Sequence, residues 1–208
     1  MTPLQQHCQD WKSGCGSDQC PTGKDGCRPN TRIVFGRGSI PCDVLFIGQA
    51  PGWGENTTGK AFIGEAGELL DKIIEGAFKE WCHDARVHRQ YYSLTWSFAN
   101  LVNCIPLDED MRETEPDGDQ ILACTPRLEE FIRVASPKLI VCVGKLAEKW
   151  LEPGYKHSVR IPAGVQMAHI VHPAAILKGM PLAQKSQAIQ RCIVVVREAT
   201  RKVMGTKS

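Results

Sequence analysis

Short apolar runs alternate along the chain with longer segments whose apolar residues recur every three to four positions. The runs are "DVLFIG" (43–48), "SLTWSFANLV" (93–102), "KLIVCVG" (138–144) and "QMAHIV" (166–171). Each is short and apolar, the pattern of a buried strand. Between them, "GELLDKIIEGAFKEW" (67–81) puts Leu69, Leu70, Ile73, Ile74 and Phe78 on one helical face. A second helix is predicted over 118–135, with a bend or restart at Pro126. "KLAEKWL" (145–151) predicts a third, and 183–204 a closing one. Strands alternating with helices predict an α/β fold: a three-layer sandwich around a central, mostly parallel four-stranded sheet. Ligands of such sheets sit beyond the carboxyl ends of the strands. Three unusual loops follow strand ends there: "GQAPG" (48–52), the stretch around Asn100, and "HPAAIL" (172–177).

The first of these loops runs into Gly54-Glu-Asn-Thr-Thr-Gly59-Lys60-Ala61, which has the outline of a phosphate-binding loop. Three features exclude that function. The strand ends at Gly48, well before the motif. Position 61 is Ala, which has no hydroxyl for magnesium. "AFIGEAG" then carries Gly64 and Gly67, so no helix is predicted to start directly after Lys60. Residues 54–60 therefore read as an ordinary mobile loop.

The chain has 208 residues and a net charge of +2, enough for one domain with a buried core and without a bulk basic field. Residues 1–10 are polar, and no run approaches membrane-spanning length. A soluble, cytoplasmic monomer that does not enter membranes is expected. Ten cysteines are many for such a protein. Cys42, Cys142 and Cys192 lie in or beside apolar runs and read as small buried side chains. Cys82, near His83 and His88, fits no common zinc spacing and reads as a helix end. Cys8, Cys15, Cys20 and Cys27 crowd a segment (1–32) without apolar periodicity. Burial cannot order such an arm, so a metal centre is the economical explanation.

Five blocks in order then point to one family. "GQAPGWGENTTGKAFIGEAGELLD", "NLVNCIP", "CTPRLEEFI", "PKLIVCVGKLA" and "HPAAIL" resemble the family-4 uracil-DNA glycosylases, the iron–sulfur branch of their superfamily, over 15–185. The resemblance implies an enzyme that extrudes uracil from DNA and hydrolyses its glycosidic bond to start base-excision repair. Phe62 corresponds to the aromatic that covers the base, with core packing as its competing reading. Asn100 corresponds to the amide that reads the O4 and N3–H edge. His172 would donate to O2 of the departing base, assisted by the backbone of Gly48 and Gln49 beside Ala50. Glu55 would wall off the C5 side, where thymine carries its methyl. Residues 173–181, with Ile176, Leu177 and Lys178, resemble the loop that wedges into the strand. Arg28, Arg32, Arg37, Lys178 and Lys185 are candidate phosphate contacts, with a solvated face as the competing reading.

The family's [4Fe–4S] cluster has four cysteine ligands. Cys104 and Cys124 correspond to the second pair, and Cys15 and Cys20 stand where the first is expected, although two extra residues separate them. Cys8 and Cys27 are substitutes, and zinc is the alternative metal for a thiolate tetrad. The chain departs from the family at Gln49, where a Glu is usual, and Ala50 restores no carboxylate. Either Glu55 partly substitutes, or a largely dissociative path relies on His172 and the pocket dipoles; Gln49 can still orient a water without deprotonating it. A slow glycosylase is expected. The alternative is a catalytically weak homologue that binds uracil or single-stranded DNA. No basic insertion lies between Gly144 and His172, so covalent capture of the abasic sugar is not expected.

Overall fold

The computed structural model describes residues 31–79 and 94–205. The arm cysteines Cys8, Cys15, Cys20 and Cys27, together with Arg28 and Cys82, lie outside the described residues. The described elements are β1 (Arg37–Gly38), β2 (Val44–Gly48), α1 (Trp53–Thr58), α2 (Gly64–Lys79), β3 (Trp96–Asn100), α3 (Gly118–Ala135), β4 (Leu139–Val143), α4 (Lys145–Leu151), β5 (Gln166–Ile170), α5 (Pro173–Gly179) and α6 (Leu182–Gly205). No described helix is long and apolar enough to cross a membrane.

The sheet has five strands in the order β1-β3-β2-β4-β5, not the four expected. The four apolar runs pair in parallel, and β1 adds an antiparallel edge, with Arg37 opposite Phe98 and Gly38 opposite Ser97. A two-residue strand carries no periodicity to read. What admits it is close approach: a Cβ at Gly36 would lie 2.4 Å from the Phe98 carbonyl oxygen, and one at Gly38 2.3 Å from that of Trp96.

Side chains alternate across the central strands and divide the core in two. Val44 and Phe46 of β2 pack with Phe98, Leu139 and Val141 against α2 and α6. Leu45 and Ile47 pack with Ala99, Ile140 and Cys142 against α3 and α4. Helices therefore cover both faces, as the alternation predicts. Cys42, Cys142 and Cys192 are buried, and desolvation pushes the Cys42 and Cys142 thiols up to about 12. They are packing residues and not nucleophiles.

Three local expectations are corrected. Residues 53–58 form a helix rather than a mobile loop. The Glu55 carboxylate accepts from the Gly52 N–H at 2.7 Å, and Gly59, with φ of +72°, ends the helix by donating to the Glu55 carbonyl. Residues 173–179 form α5, started by Pro173 at its first position. Pro126 does not restart α3, which runs without interruption from Gly118 to Ala135. The carbonyl that Pro126 leaves without a donor belongs to Leu122, a residue on the exposed side, while Cys124, Arg127 and Leu128 are buried on either side of the proline. Burial along α3 outweighs the roughly 3 kcal/mol of an interior proline.

Candidate active site

The carboxyl ends of the parallel strands bring three predicted residues into one place. Parallel register sets Gly48 opposite Asn100, and the pairing continues past the strands: Leu101 N–H donates to Gly48 O at 2.9 Å and Val102 N–H to Gln49 O at 3.1 Å. Asn100 is a buried polar side chain, 4 % exposed. A Cβ added at Gly48 would lie 2.7 Å from Asn100 Oδ1 and 2.8 Å from Phe62 Cζ. The amide and the aromatic ring thus converge where the sequence supplies no side chain.

Phe62 is held there against its backbone preference. Its φ of +55° lies in the left-handed region, costly for a bulky residue. Three contacts enforce it. Its N–H donates to Glu55 Oε1, and its carbonyl accepts from the Arg37 guanidinium at 3.2 Å. Gly67 lets the helix pass close by, since a Cβ there would lie 2.2 Å from the Phe62 oxygen. Arg37 also donates to the Ala61 carbonyl at 2.9 Å, pairs with Asp71 and lies 4.0 Å above the Phe98 ring. Arg37 is therefore committed to the loop rather than to phosphate. The Phe62 ring packs against Phe98 with centroids 5.4 Å apart. It packs in the core, and its edge also reaches the end of β2 at Gly48.

Glu55 has both carboxylate oxygens engaged, Oε2 by Gly52 N–H and Oε1 by Phe62 N–H. Desolvation nevertheless raises its pKa above the ordinary carboxylate value, because burial outweighs these donors. Its principal role in the geometry is to tie α1 to Phe62.

His172 caps α5. Ala174 N–H donates to its Nδ1 at 3.2 Å, so Nδ1 is an acceptor and the proton of the neutral ring sits on Nε2. Behind it stands Gly144, with φ of +95°, where a Cβ would lie 3.0 Å from that of His172. Burial lowers the His172 pKa below 6.5. The ring is thus held as a neutral donor. An unfolded chain takes up this proton below about pH 6.5, whereas the native state takes it up only at lower pH. This contribution to stability is therefore complete above that pH and is lost as pH falls towards the folded pKa. Thermal unfolding measured at about pH 7 and pH 5 should show a larger acid loss for the parent than for His172→Gln. Equal losses would contradict the assignment.

Between the β2 and β5 ends lies a cleft of about 270 Å³, lined among others by Gln49, Ala50, Glu55, His172, Leu177 and Lys178. The loop after β2 leads to α2 on one face of the sheet, and β4 leads to α4 on the other. The cleft therefore opens where the chain switches faces. Two predicted contacts are spent elsewhere. Ile176 is fully buried in the core and is not available to wedge into a strand, and Lys185 donates to the Leu177 carbonyl at 2.5 Å, closing the end of α5. Leu177 and Lys178 do face the cleft. Glu65 and Glu113 also line it, and sequence reasoning missed both. Glu113 sits in a stretch with no apolar periodicity and no matching block, so only folding delivers it.

Cys104 and Cys124 are buried cysteines on the segment after β3 and on α3. Among the described residues, no group of three or more His, Cys, Asp or Glu side chains could hold a metal. Two thiols suit half of a thiolate tetrad, so any further ligands must come from outside the described residues.

Comparison with known proteins points to one family. The model of the family described as "Uracil DNA glycosylase superfamily" matches residues 35–193. The chain is 31% identical over 121 residues to the type-4 uracil-DNA glycosylase of Sulfurisphaera tokodaii, covering 58% of this chain and 48% of the relative. It is 33% identical over 118 residues to that of Saccharolobus solfataricus, covering 57% and 48%. Against that of Pyrobaculum aerophilum it is 30% identical over 176 residues, covering 77% and 79%. The chain spans about half the length of the first two relatives.

Proposed function

The chain belongs to the uracil-DNA glycosylase superfamily, in its type-4 branch, and from that membership we propose that it excises uracil from DNA. The observation that carries this reading is the meeting of the Asn100 amide and the Phe62 ring at Gly48, beside a cleft lined by a neutral His172. A flipped uracil stacks on Phe62, and its O4 and N3–H edge pairs with the Asn100 amide. Cytosine presents the reversed donor pattern and leaves buried groups unpaired, at about 1–3 kcal/mol each. Glu55 and Ala50 close the pocket wall, against the thymine methyl. As the C1′–N1 bond breaks, negative charge spreads over the base, and His172 Nε2–H donates to O2 with help from the backbone of Gly48 and Gln49. Leu177 and Lys178 on α5 fill the gap in the strand and meet its backbone.

The cofactor of this reading is a [4Fe–4S] cluster on Cys15, Cys20, Cys104 and Cys124. It would supply a covalent clamp between the arm and the domain, and glycosidic hydrolysis draws no electrons from it. Anaerobically purified protein should contain iron and sulfide in equal amounts, and Cys124→Ser should lose both. Zinc in their place would overturn the iron assignment.

The enzyme acts on uracil-containing DNA as a cytoplasmic monomer. Incubation with a uracil-bearing oligonucleotide, followed by alkaline cleavage of abasic sites, tests the activity. Strand scission at uracil and not at cytosine or thymine is expected. Gln49 favours a second reading, a homologue that binds uracil DNA without turnover. Retention of the uracil strand over the thymine control, without scission, would establish that reading instead.

A further inference from the structure

The cleft contains a carboxylate that no sequence block announces. Residues 107–113 form a tight hairpin: Leu107 pairs with Glu113, Asp108 N–H donates to Arg112 O at 2.9 Å, and Arg112 N–H donates to Asp108 Oδ1 at 2.8 Å. Thr114 N–H anchors its far end on the Pro106 carbonyl at 3.0 Å. The hairpin holds Glu113 at the cleft, which Gln49, Glu55 and His172 also line. Its carboxylate oxygens would lie 3.5 and 3.7 Å from a Cβ built on Gly52, and Glu55 Oε2 3.8 Å from the same point. Glu113 and Glu55 thus approach the same point beside Gly52, on the loop that follows Gln49.

The other candidates for a base are committed or unsuited. Gln49 orients a water but does not take its proton. Both oxygens of Glu55 are bound by backbone N–H groups. Glu65 lies in the first turn of α2, where the unpaired N–H groups of the helix draw its carboxylate. Glu113 is exposed, forms no ion pair with a described residue, and its neighbour Arg112 is turned to Asp110 at 3.1 Å. It is free to accept a proton.

We propose that Glu113 is the catalytic base of this enzyme, taking the role left vacant by Gln49 and Ala50. The inference rests on the glycosylase reading above. The water held between Gln49 and Glu113 attacks C1′: its oxygen forms the new bond, one of its protons passes to the Glu113 carboxylate, and the C1′–N1 electron pair leaves with uracil. The base departs as an anion bonded to His172 and acquires the Glu113 proton through solvent, so the sum is sugar–uracil plus water giving abasic sugar plus uracil.

Single-turnover excision by the parent, Glu113→Gln, Gln49→Glu combined with Glu113→Gln, and Glu152→Gln at the exposed end of α4, away from the cleft, tests it, alongside affinity for the uracil oligonucleotide and thermal unfolding. Glu113→Gln should slow excision by at least about tenfold without weakening binding or lowering the unfolding temperature. Glu152→Gln should excise within about twofold of the parent, and the double variant should regain most of the lost rate through the new carboxylate at position 49. A Glu113→Gln rate within about twofold of the parent overturns the assignment, as does an equal loss in Glu152→Gln. Excision by the parent with no effect of Glu113→Gln removes this inference alone. No excision by the parent removes the glycosylase reading and this one together.

Discussion

Replacing His172 with Ala is expected to slow uracil release about 10²–10³-fold while leaving affinity for the uracil strand nearly intact. The reason is where its charge is needed. In the ground state the O2 of uracil is a neutral carbonyl, and one hydrogen bond to it adds little. As the glycosidic bond breaks, that oxygen shares a full negative charge, and a placed donor in a site shielded from water becomes worth about 3–4 kcal/mol. The donor is pre-set in two ways. Ala174 N–H occupies Nδ1, which leaves the proton on Nε2, and burial keeps the ring neutral. His172→Gln, which retains an N–H donor, should recover part of the rate. A loss of binding as large as the loss of rate would show that His172 holds the strand rather than the transition state.

Gly48→Ala should be the most damaging change of a single methyl. The added carbon would lie 2.7 Å from Asn100 Oδ1 and 2.8 Å from Phe62 Cζ, inside any real contact distance for either. Both clashing atoms are side-chain ends, but the two side chains are buried and have little room to turn away. The β2–β3 register and the contacts of Glu55 and Arg37 keep their backbones in place. Overpacking of this kind costs about 1–3 kcal/mol of stability. The functional loss should be larger, at least about 10²-fold in excision, because the displaced groups are the ring and the amide proposed to stack on and read the base. Circular dichroism and thermal unfolding would show a folded, weakened protein, and the oligonucleotide assay an inactive one. Normal uracil excision by the Gly48→Ala variant would mean the base lies elsewhere.

The two changes probe different layers of the fold. Gly48 is legible because it ends an apolar run, and runs of that kind become the parallel centre of the sheet. Asn100 lies within such a run and His172 just past one, but the family resemblance is what singles them out. Helices α2, α3, α4 and α6 follow from periodicity and deviate only at their ends. Where periodicity is absent, the reading fails. β1 is two residues long and exists because Gly36 and Gly38 let it approach β3. Helices α1 and α5 are a single turn or two, so a cap and a stop residue decide them rather than an apolar stripe. Pro126 signals a break that burial along α3 overrides.

The sequence by itself determined the layered α/β architecture and the end of the sheet at which the cleft opens, because strands and helices are chosen by side-chain spacing over a few residues. Phe62, Asn100 and His172 are singled out only by the family resemblance, and the structure brings the first two together at Gly48. Tertiary structure alone decided that Ile176, Arg37 and Lys185 serve the scaffold, that Glu55 clamps Phe62, and that Glu113 arrives at the cleft. Each of these depends on distances between residues far apart in the chain. No spacing encodes such distances; they arise only when close packing of the layers forces distant segments together.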